Sequence, residues 1–138
     1  INESNINTTA YNMLGLPGET ESMIWETIEL NKKCKIKTPG VGLFYPYPGT
    51  HLRKYCIDKG YLDRDFDDNT EEAILFTRSV LKQDNIIQPH ILKHYLEYFS
   101  VYCKVLPEMY PEVLRCSADD EDGRRLKAKI QQFVLQQS

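Results

Sequence analysis

Short apolar segments alternate with longer amphipathic segments over the first 60 residues of the chain. Residues 7–14 and 41–45 are rich in β-branched, aromatic or aliphatic side chains and predict two short strands. Residues 21–34 and 51–59 repeat apolar side chains at helical spacing and predict two helices. The order strand, helix, strand, helix predicts an α/β fold with parallel strands.

Each predicted strand is followed by a turn rich in glycine and proline: residues 15–18 (GLPG) and residues 46–49 (PYPG). Thr20 and Thr50 are placed to cap the two helices, and Gly60 is placed to end the second one. Both turns follow the carboxyl ends of parallel strands, which is the edge where ligands bind in α/β proteins.

The alternating pattern ends at residue 62, so residues 1–62 are taken as one unit. Residues 63–88 predict an acidic linker and extended segment. Within it, residues 63–72 carry six acidic side chains and predict a solvated loop, whereas residues 73–81 fit either a strand or a helix.

Residues 89–138 predict a set of C-terminal helices. Pro89 stands at the first position of a helix whose apolar side chains repeat every 3.6 residues. Pro107 and Pro111 bracket a short helical piece, and the acidic residues 119–122 begin a last amphipathic helix.

Composition narrows the classes of function. The 138 residues carry 17 basic and 20 acidic side chains, a net charge of −3, which argues against binding nucleic acid by charge alone. No apolar run is long enough to cross a membrane. The four cysteines lack the spacing of a disulfide framework, so a reducing cytoplasmic setting is expected. The chain begins with Ile1 rather than Met, which fits either processing or a piece of a longer chain.

Candidate metal ligands are weak. His90 and His94 are four residues apart on a predicted helix, but His94 is expected on its polar side and no further ligand lies near. Asp63, Asp65 and Asp67 begin like a calcium-binding loop, yet the glycine and the final glutamate of that loop are missing. We therefore predict no metal ligand, and no residue is assigned as a catalytic acid or base.

The two turns are the better candidates for a binding site. Glycine and proline leave the main chain accessible to a flat ligand, and Tyr45 and Tyr47 add aromatic surface beside the second turn. The alternative is purely geometric, because strand-to-helix turns are often built from glycine and proline and tyrosines often only pack.

The same turns carry a resemblance to a known family. The string NMLGLPGET (residues 12–20) and the string FYPYPGT (residues 44–50) resemble the C-terminal part of a radical S-adenosylmethionine domain. The branch with an N-terminal cobalamin-binding domain is the most similar. The resemblance covers residues 6–62 well, is weaker to residue 106 and is absent beyond. It implies two βα units of a partial TIM-type parallel barrel, followed by the C-terminal helical segment.

The resemblance implies cofactors that this chain can hold only in part. Members of the family bind a [4Fe–4S] cluster through a C-x-x-x-C-x-x-C loop, cleave S-adenosylmethionine reductively and release a 5′-deoxyadenosyl radical; one branch also uses cobalamin. This chain has no such loop, and its four cysteines are too far apart in sequence to form one. We therefore expect the C-terminal fragment of a radical enzyme, inactive alone.

In such a fragment the two turns would line the adenosine side of S-adenosylmethionine. The residues placed there by the resemblance are Met13, Leu14, Gly15, Leu16, Pro17, Tyr45, Pro46, Tyr47 and Pro48. Glu19 fits this edge equally well as a carboxylate that only starts the helix.

The expected partners are the upstream half of the barrel and a substrate that the sequence does not identify. Two other classes stay open: a stand-alone α/β interaction or scaffold module, and a small α/β enzyme with a different ligand at the two turns. Because two parallel strands leave sheet edges and an inner face open, we expect either homo-oligomers or C-terminal helices folded over that face.

Overall fold

In the described part of the chain, two parallel strands form the sheet. β1 (Thr9–Leu14) pairs with β2 (Thr38–Leu43) along their whole lengths. The computed structural model describes residues 7–68, 79–82 and 87–136. The sequence fits either a strand or a helix at residues 73–81, and most of that segment, residues 73–78, lies outside the described residues.

The described residues also form five α-helices. They are α1 (Glu21–Lys33), α2 (His51–Asp58), α3 (Pro89–Tyr102), α4 (Tyr110–Arg115) and α5 (Glu121–Gln136), with a 3₁₀ turn at Pro107–Met109. The predicted α/β class and the C-terminal helices are confirmed. All five helices are too short or too polar to cross a lipid bilayer.

The structure confirms the predicted starts of α1 and α2 and ends each helix one residue earlier than predicted, at Lys33 and at Asp58. The Thr20 hydroxyl accepts a hydrogen bond from the Met23 N–H at 3.4 Å, and the Thr50 hydroxyl accepts one from the Arg53 N–H at 3.2 Å. Gly60 follows α2 with a φ of +75°. Each cap satisfies a backbone group that the helix itself leaves unpaired.

The second strand lies earlier in the chain than the sequence predicts. It was expected at residues 41–45, after a turn at Pro39, but Pro39 lies inside β2. The Thr38 N–H donates to the Thr8 carbonyl at 3.1 Å. Because alternate residues of a strand face the same neighbour, the Pro39 nitrogen faces away from β1, where a missing N–H breaks no bond within the pair.

One face of the sheet is covered by helices. Asn12 pairs with Val41, and Leu14 pairs with Leu43, so these side chains share a face. Leu14 is fully buried among residues of α1 and α3, and Val41 and Leu43 pack against the same core. Helices α1 and α3 therefore lie on the same side of the sheet.

In the described residues the opposite face of the sheet exposes its side chains, and we call it the bare face. Tyr11 is 91% exposed and Met13 is 51% exposed, and their partners in β2 are Gly40 and Gly42. Of the two expected alternatives, C-terminal helices folded over the open face are not found in the described residues, because α3 lies on the face that α1 already covers. A helix needs apolar side chains to pack against, and the glycines of β2 offer none.

The N-terminal βα units and the C-terminal helices share one hydrophobic core. Leu14, Ile24 and Ile28 pack with residues of α3, α4 and α5, among them Phe99 and Ile130. A second, smaller cluster lies beyond the carboxyl end of β2 and consists of Phe44, Cys56, Leu62 and Leu81.

Two asparagines join β1 to α1 inside this structure. The Asn31 amide is buried and donates to the Asn12 side-chain oxygen and to the Thr27 carbonyl, both at 2.8 Å. The Asn12 amide donates to the Gly40 carbonyl at 2.8 Å. The pair thus satisfies polar groups that the helix would otherwise bury.

We expect Asn31→Leu to lower the free energy of unfolding by about 1–3 kcal/mol, because Asn12 would keep a buried carbonyl oxygen without its donor. Chemical denaturation followed by circular dichroism measures the change. Glu26→Leu, an exposed position of the same helix, is the matched control and should change stability by less than about 0.5 kcal/mol. Equal losses in both variants would contradict a role for the buried pair.

Candidate functional site

The carboxyl ends of the two strands meet at one edge of the sheet. The Phe44 N–H donates to the Leu14 carbonyl at 2.7 Å, which extends the pairing one residue beyond β2. The turn that begins at Gly15 and the turn that begins at Tyr45 therefore leave the sheet side by side. The prediction that the two strings end neighbouring parallel strands is confirmed.

The first turn is closed by a carboxylate. Glu19 accepts a hydrogen bond from the Gly15 N–H at 2.6 Å, and its own N–H donates to the Leu16 carbonyl at 3.0 Å. Burial raises the pKa of Glu19, and the two backbone N–H groups that it faces lower it by less. Glu19 is thus engaged by the turn itself, which favours the structural role that the sequence left open.

Gly15 is required by the shape of this turn. Its φ is +82°, a conformation that side chains disfavour. A Cβ at this position would lie 2.9 Å from Leu43 and 3.3 Å from Leu92. Gly18 has a similar φ of +79° but open space around it. The turn is therefore packed at its start and open at its end.

The second turn is held by Arg53 of α2. The Arg53 guanidinium donates to the Pro46 carbonyl at 2.9 Å and to the Asp68 carboxylate at 2.8 Å. The Tyr45 hydroxyl also donates to Asp68, at 2.5 Å. These hydrogen bonds, the one from Arg53 first, hold the pKa of Asp68 below its ordinary value. The hydroxyl of Tyr45 is therefore engaged in holding the turn.

The nine residues that the sequence placed at this edge differ in access. The side chains of Leu14 and Pro46 are buried, and Gly15 is buried with its N–H bonded to Glu19. Any contact between these three residues and a ligand would use the main chain. Accessible side chains are the half-buried Leu16, Pro17 and Tyr45 and the exposed Met13, Tyr47 and Pro48.

A hollow of about 540 Å³ lies beside the second turn and was not foreseen from the sequence. Gly49 and the first residues of α2 line it, together with the cationic side chains of Lys54 and Arg64. The available signal was the basic pair Arg53–Lys54 in the first turn of the helix that Thr50 caps. A second hollow, of about 480 Å³, lies between residues 16–19 and α1. Both hollows adjoin the edge where the turns meet.

The residues present do not fit an iron–sulfur cluster. In the described part of the chain, no three His, Cys, Asp or Glu side chains converge as metal ligands. The cysteines lie on separate elements: Cys34 ends α1, Cys56 is in α2, Cys103 follows α3 and Cys116 follows α4. A cluster needs thiolates that converge on one point.

The sequence predicts His94 on the polar side of its helix. In the structure, however, the His94 side chain is buried, with 8% of its surface exposed. One ring nitrogen is bonded to the Ser117 hydroxyl, and the other lies 2.8 Å from the Tyr102 hydroxyl. The prediction was wrong because the segment between α4 and α5 covers this side of α3. With both nitrogens engaged, His94 is not a metal ligand in this structure.

No protein-family model, curated protein or solved structure shows significant similarity to this chain. Any proposal about its function therefore depends on the geometry of the two turns and on the motifs in the sequence.

Proposed function

We propose that this chain is the C-terminal βα part of a radical S-adenosylmethionine barrel, contributes the adenosine-side edge of its site and is inactive alone. The observation that carries this proposal is the asymmetry of the sheet. Helices α1 and α3 cover one face, whereas the other face presents Tyr11 and Met13 to solvent. In a βα barrel the helices lie outside and the opposite face of each strand turns inward.

The turns suit the nucleoside end of S-adenosylmethionine. Met13 and Tyr47 offer exposed apolar and aromatic surface, and residues 15–18 bring main-chain groups to the same edge. An adenine ring needs a flat apolar contact and a few main-chain hydrogen bonds. Because the Gly15 N–H is bonded to Glu19 and Pro17 has no N–H, these hydrogen bonds would use the later main-chain groups of the turn. When bound, the cofactor would supply the 5′-deoxyadenosyl group; this chain would orient it and exclude water. No step through an iron–sulfur cluster is assigned to this chain.

The partner in this proposal is the remaining half of the barrel, with the substrate enclosed between the two halves. The four cysteines are thiols and not disulfides. Reduced thiols suit a cytoplasmic protein, and we propose that location.

Titration of the purified chain with S-adenosylmethionine tests the proposal. We expect concentration-dependent changes in the amide NMR signals of residues 13–18 and 45–49, because the ligand would contact both turns. Met13→Ala should weaken binding by roughly tenfold, which corresponds to about 1.4 kcal/mol of lost apolar contact. Leu114→Ala removes a similarly exposed side chain on α4 and should bind like the unmodified chain.

Two results would contradict the proposal. If the amide signals of both turns stayed unchanged at the highest S-adenosylmethionine concentration, the two turns would not be a binding site for this cofactor. A stoichiometric iron–sulfur cluster and cleavage of S-adenosylmethionine after reconstitution of this chain alone would show a complete enzyme rather than a part of one.

A stand-alone interaction module remains the second candidate, and the same bare face favours it. The exposed Tyr11 and Met13 side chains are the kind of surface at which proteins associate. That function predicts no response of the two turns to S-adenosylmethionine, so the titration separates the two candidates.

A further inference from the structure

One face of α1 carries a regular series of residues at intervals of four. Glu21, Trp25 and Glu29 lie one helical turn apart and therefore share that face. Trp25 is the single tryptophan of the chain. Tyrosines of α3 and α4 lie opposite all three positions, so the series has a partner at each turn.

The Trp25 ring contacts three tyrosine rings. The centroid distances are 5.0 Å to Tyr102, 4.9 Å to Tyr110 and 5.9 Å to Tyr95. Tyr102 itself lies 5.4 Å from Tyr110 and 5.8 Å from Tyr95. Electrons move most readily between aromatic rings in near contact, because electronic coupling falls steeply with distance.

Each of these phenols is hydrogen-bonded to a group that can accept a proton. The Tyr95 hydroxyl donates to Glu21 at 2.5 Å, and the Tyr110 hydroxyl donates to Glu29 at 3.1 Å. The Tyr102 hydroxyl lies 2.8 Å from His94 Nε2. A phenol becomes a strong acid when it loses an electron. A proton acceptor that is already hydrogen-bonded to the phenol therefore makes its oxidation easier.

The tautomer of His94 follows from its neighbours. In the described residues the buried Tyr102 hydroxyl has no other acceptor, so it donates to Nε2, and Nδ1–H donates to Ser117. Burial lowers the pKa of His94, which keeps the imidazole neutral at neutral pH and leaves Nε2 without a proton of its own. Burial raises the pKa of Tyr102, so its phenol stays protonated until it is oxidised.

Tyr98 is a buried tyrosine of the same core that lies outside the ring contacts of Trp25 in the described residues. It lies on α3 like Tyr102, and its hydroxyl donates to the Cys116 carbonyl at 3.1 Å. Glu97 and Lys127 also face this hydroxyl. The three tyrosines around Trp25 are therefore distinguished from Tyr98 by their contact with the indole and not by burial alone.

We propose that Trp25, Tyr95, Tyr102 and Tyr110 form a relay for single oxidising equivalents, with the Tyr102–His94 pair as its resting place. The oxidant is any one-electron acceptor that reaches Trp25, such as an organic radical. It takes one electron from the indole, and the indole recovers one from Tyr102. The Tyr102 proton moves to His94 Nε2, which leaves a neutral tyrosyl radical and an imidazolium.

Tyr102 is favoured over Tyr95 by its shorter ring distance to Trp25, 5.0 Å against 5.9 Å, and over Tyr110 by charge. The Lys32 ammonium lies 2.5 Å from the Tyr110 hydroxyl oxygen and disfavours further positive charge there. Tyr102 is 1% exposed, so the surrounding core protects a radical there from dissolved reactants. The hydrogen bond from His94 to Ser117 connects the positively charged imidazolium with a hydroxyl at the surface.

Flash photolysis of tris(bipyridine)ruthenium(II) with a sacrificial electron acceptor, which generates the ruthenium(III) oxidant beside the full chain, tests this relay without S-adenosylmethionine. We expect an indolyl radical that decays as a tyrosyl radical appears, both identified by electron paramagnetic resonance. Tyr102→Phe should remove most of the tyrosyl signal and prolong the indolyl radical severalfold. Tyr98→Phe, which deletes one hydroxyl from a buried tyrosine of the same helix, should leave both signals unchanged.

A tyrosyl signal that survives Tyr102→Phe, or that is lost in Tyr11→Phe on the bare face, would overturn the relay. Heavy water supplies a measurement that needs no variant, since coupled proton transfer to His94 should slow formation of the tyrosyl radical. Equal rates in both solvents would also overturn it. Because no cofactor is used, failure here leaves the proposed barrel function untouched.

Discussion

Replacing Phe99 by alanine is expected to lower the free energy of unfolding by about 3–5 kcal/mol. Phe99 is fully buried in α3 and packs in the core that also contains Leu14, Ile24 and Ile28. The substitution removes apolar burial and leaves a cavity where the C-terminal helices meet the βα units. Since domains of this size are stable by about 5–15 kcal/mol, the variant should retain only part of its stability.

Urea denaturation followed by circular dichroism measures this loss. Leu114→Ala is the control, because Leu114 is 63% exposed on α4, and its change should stay within about 0.5 kcal/mol. If Phe99→Ala instead produced two separate transitions, with the βα units unaffected, the shared core would be contradicted.

Gly15→Ala should be the second most harmful change, with a loss of roughly 2–5 kcal/mol. A left-handed backbone conformation costs a residue with a side chain about 1–2 kcal/mol. The new Cβ would also press on Leu43 at 2.9 Å and on Leu92 at 3.3 Å. Overpacking of this kind costs about 1–3 kcal/mol.

Gly18→Ala separates these two contributions in the same turn. Gly18 has a φ of +79° and no atom within 4 Å of the new Cβ, so only the backbone cost of about 1–2 kcal/mol remains. Differential scanning calorimetry of both variants measures the difference. Equal losses would show that the contact of Gly15 with Leu43 and Leu92 is unimportant.

The features that the sequence predicted well are local. Thr20 and Thr50 cap the helices as expected, since capping depends on only three or four consecutive residues. The adjacency of the two turns also followed from the sequence, because the order of strands and helices makes the strands parallel and aligns their carboxyl ends.

The features that the sequence did not predict depend on residues far apart in the chain. Pro39 fits inside β2 only because its nitrogen faces away from β1, which no local pattern reveals. His94 is buried because Ser117, 23 residues later, lies over it. At the site, the salt bridge from Arg53 to Asp68 and the burial of Pro46 likewise arise from tertiary packing.

Pro39 also makes the two edges of the sheet differ in the backbone hydrogen-bonding groups that they offer to a further strand. Thr9, Tyr11 and Met13 turn their amide groups away from β2, so a further strand beside β1 would find an unbroken row of donors and acceptors. A strand beside β2 would meet a missing donor at Pro39. A further strand would therefore pair more completely beside β1 than beside β2.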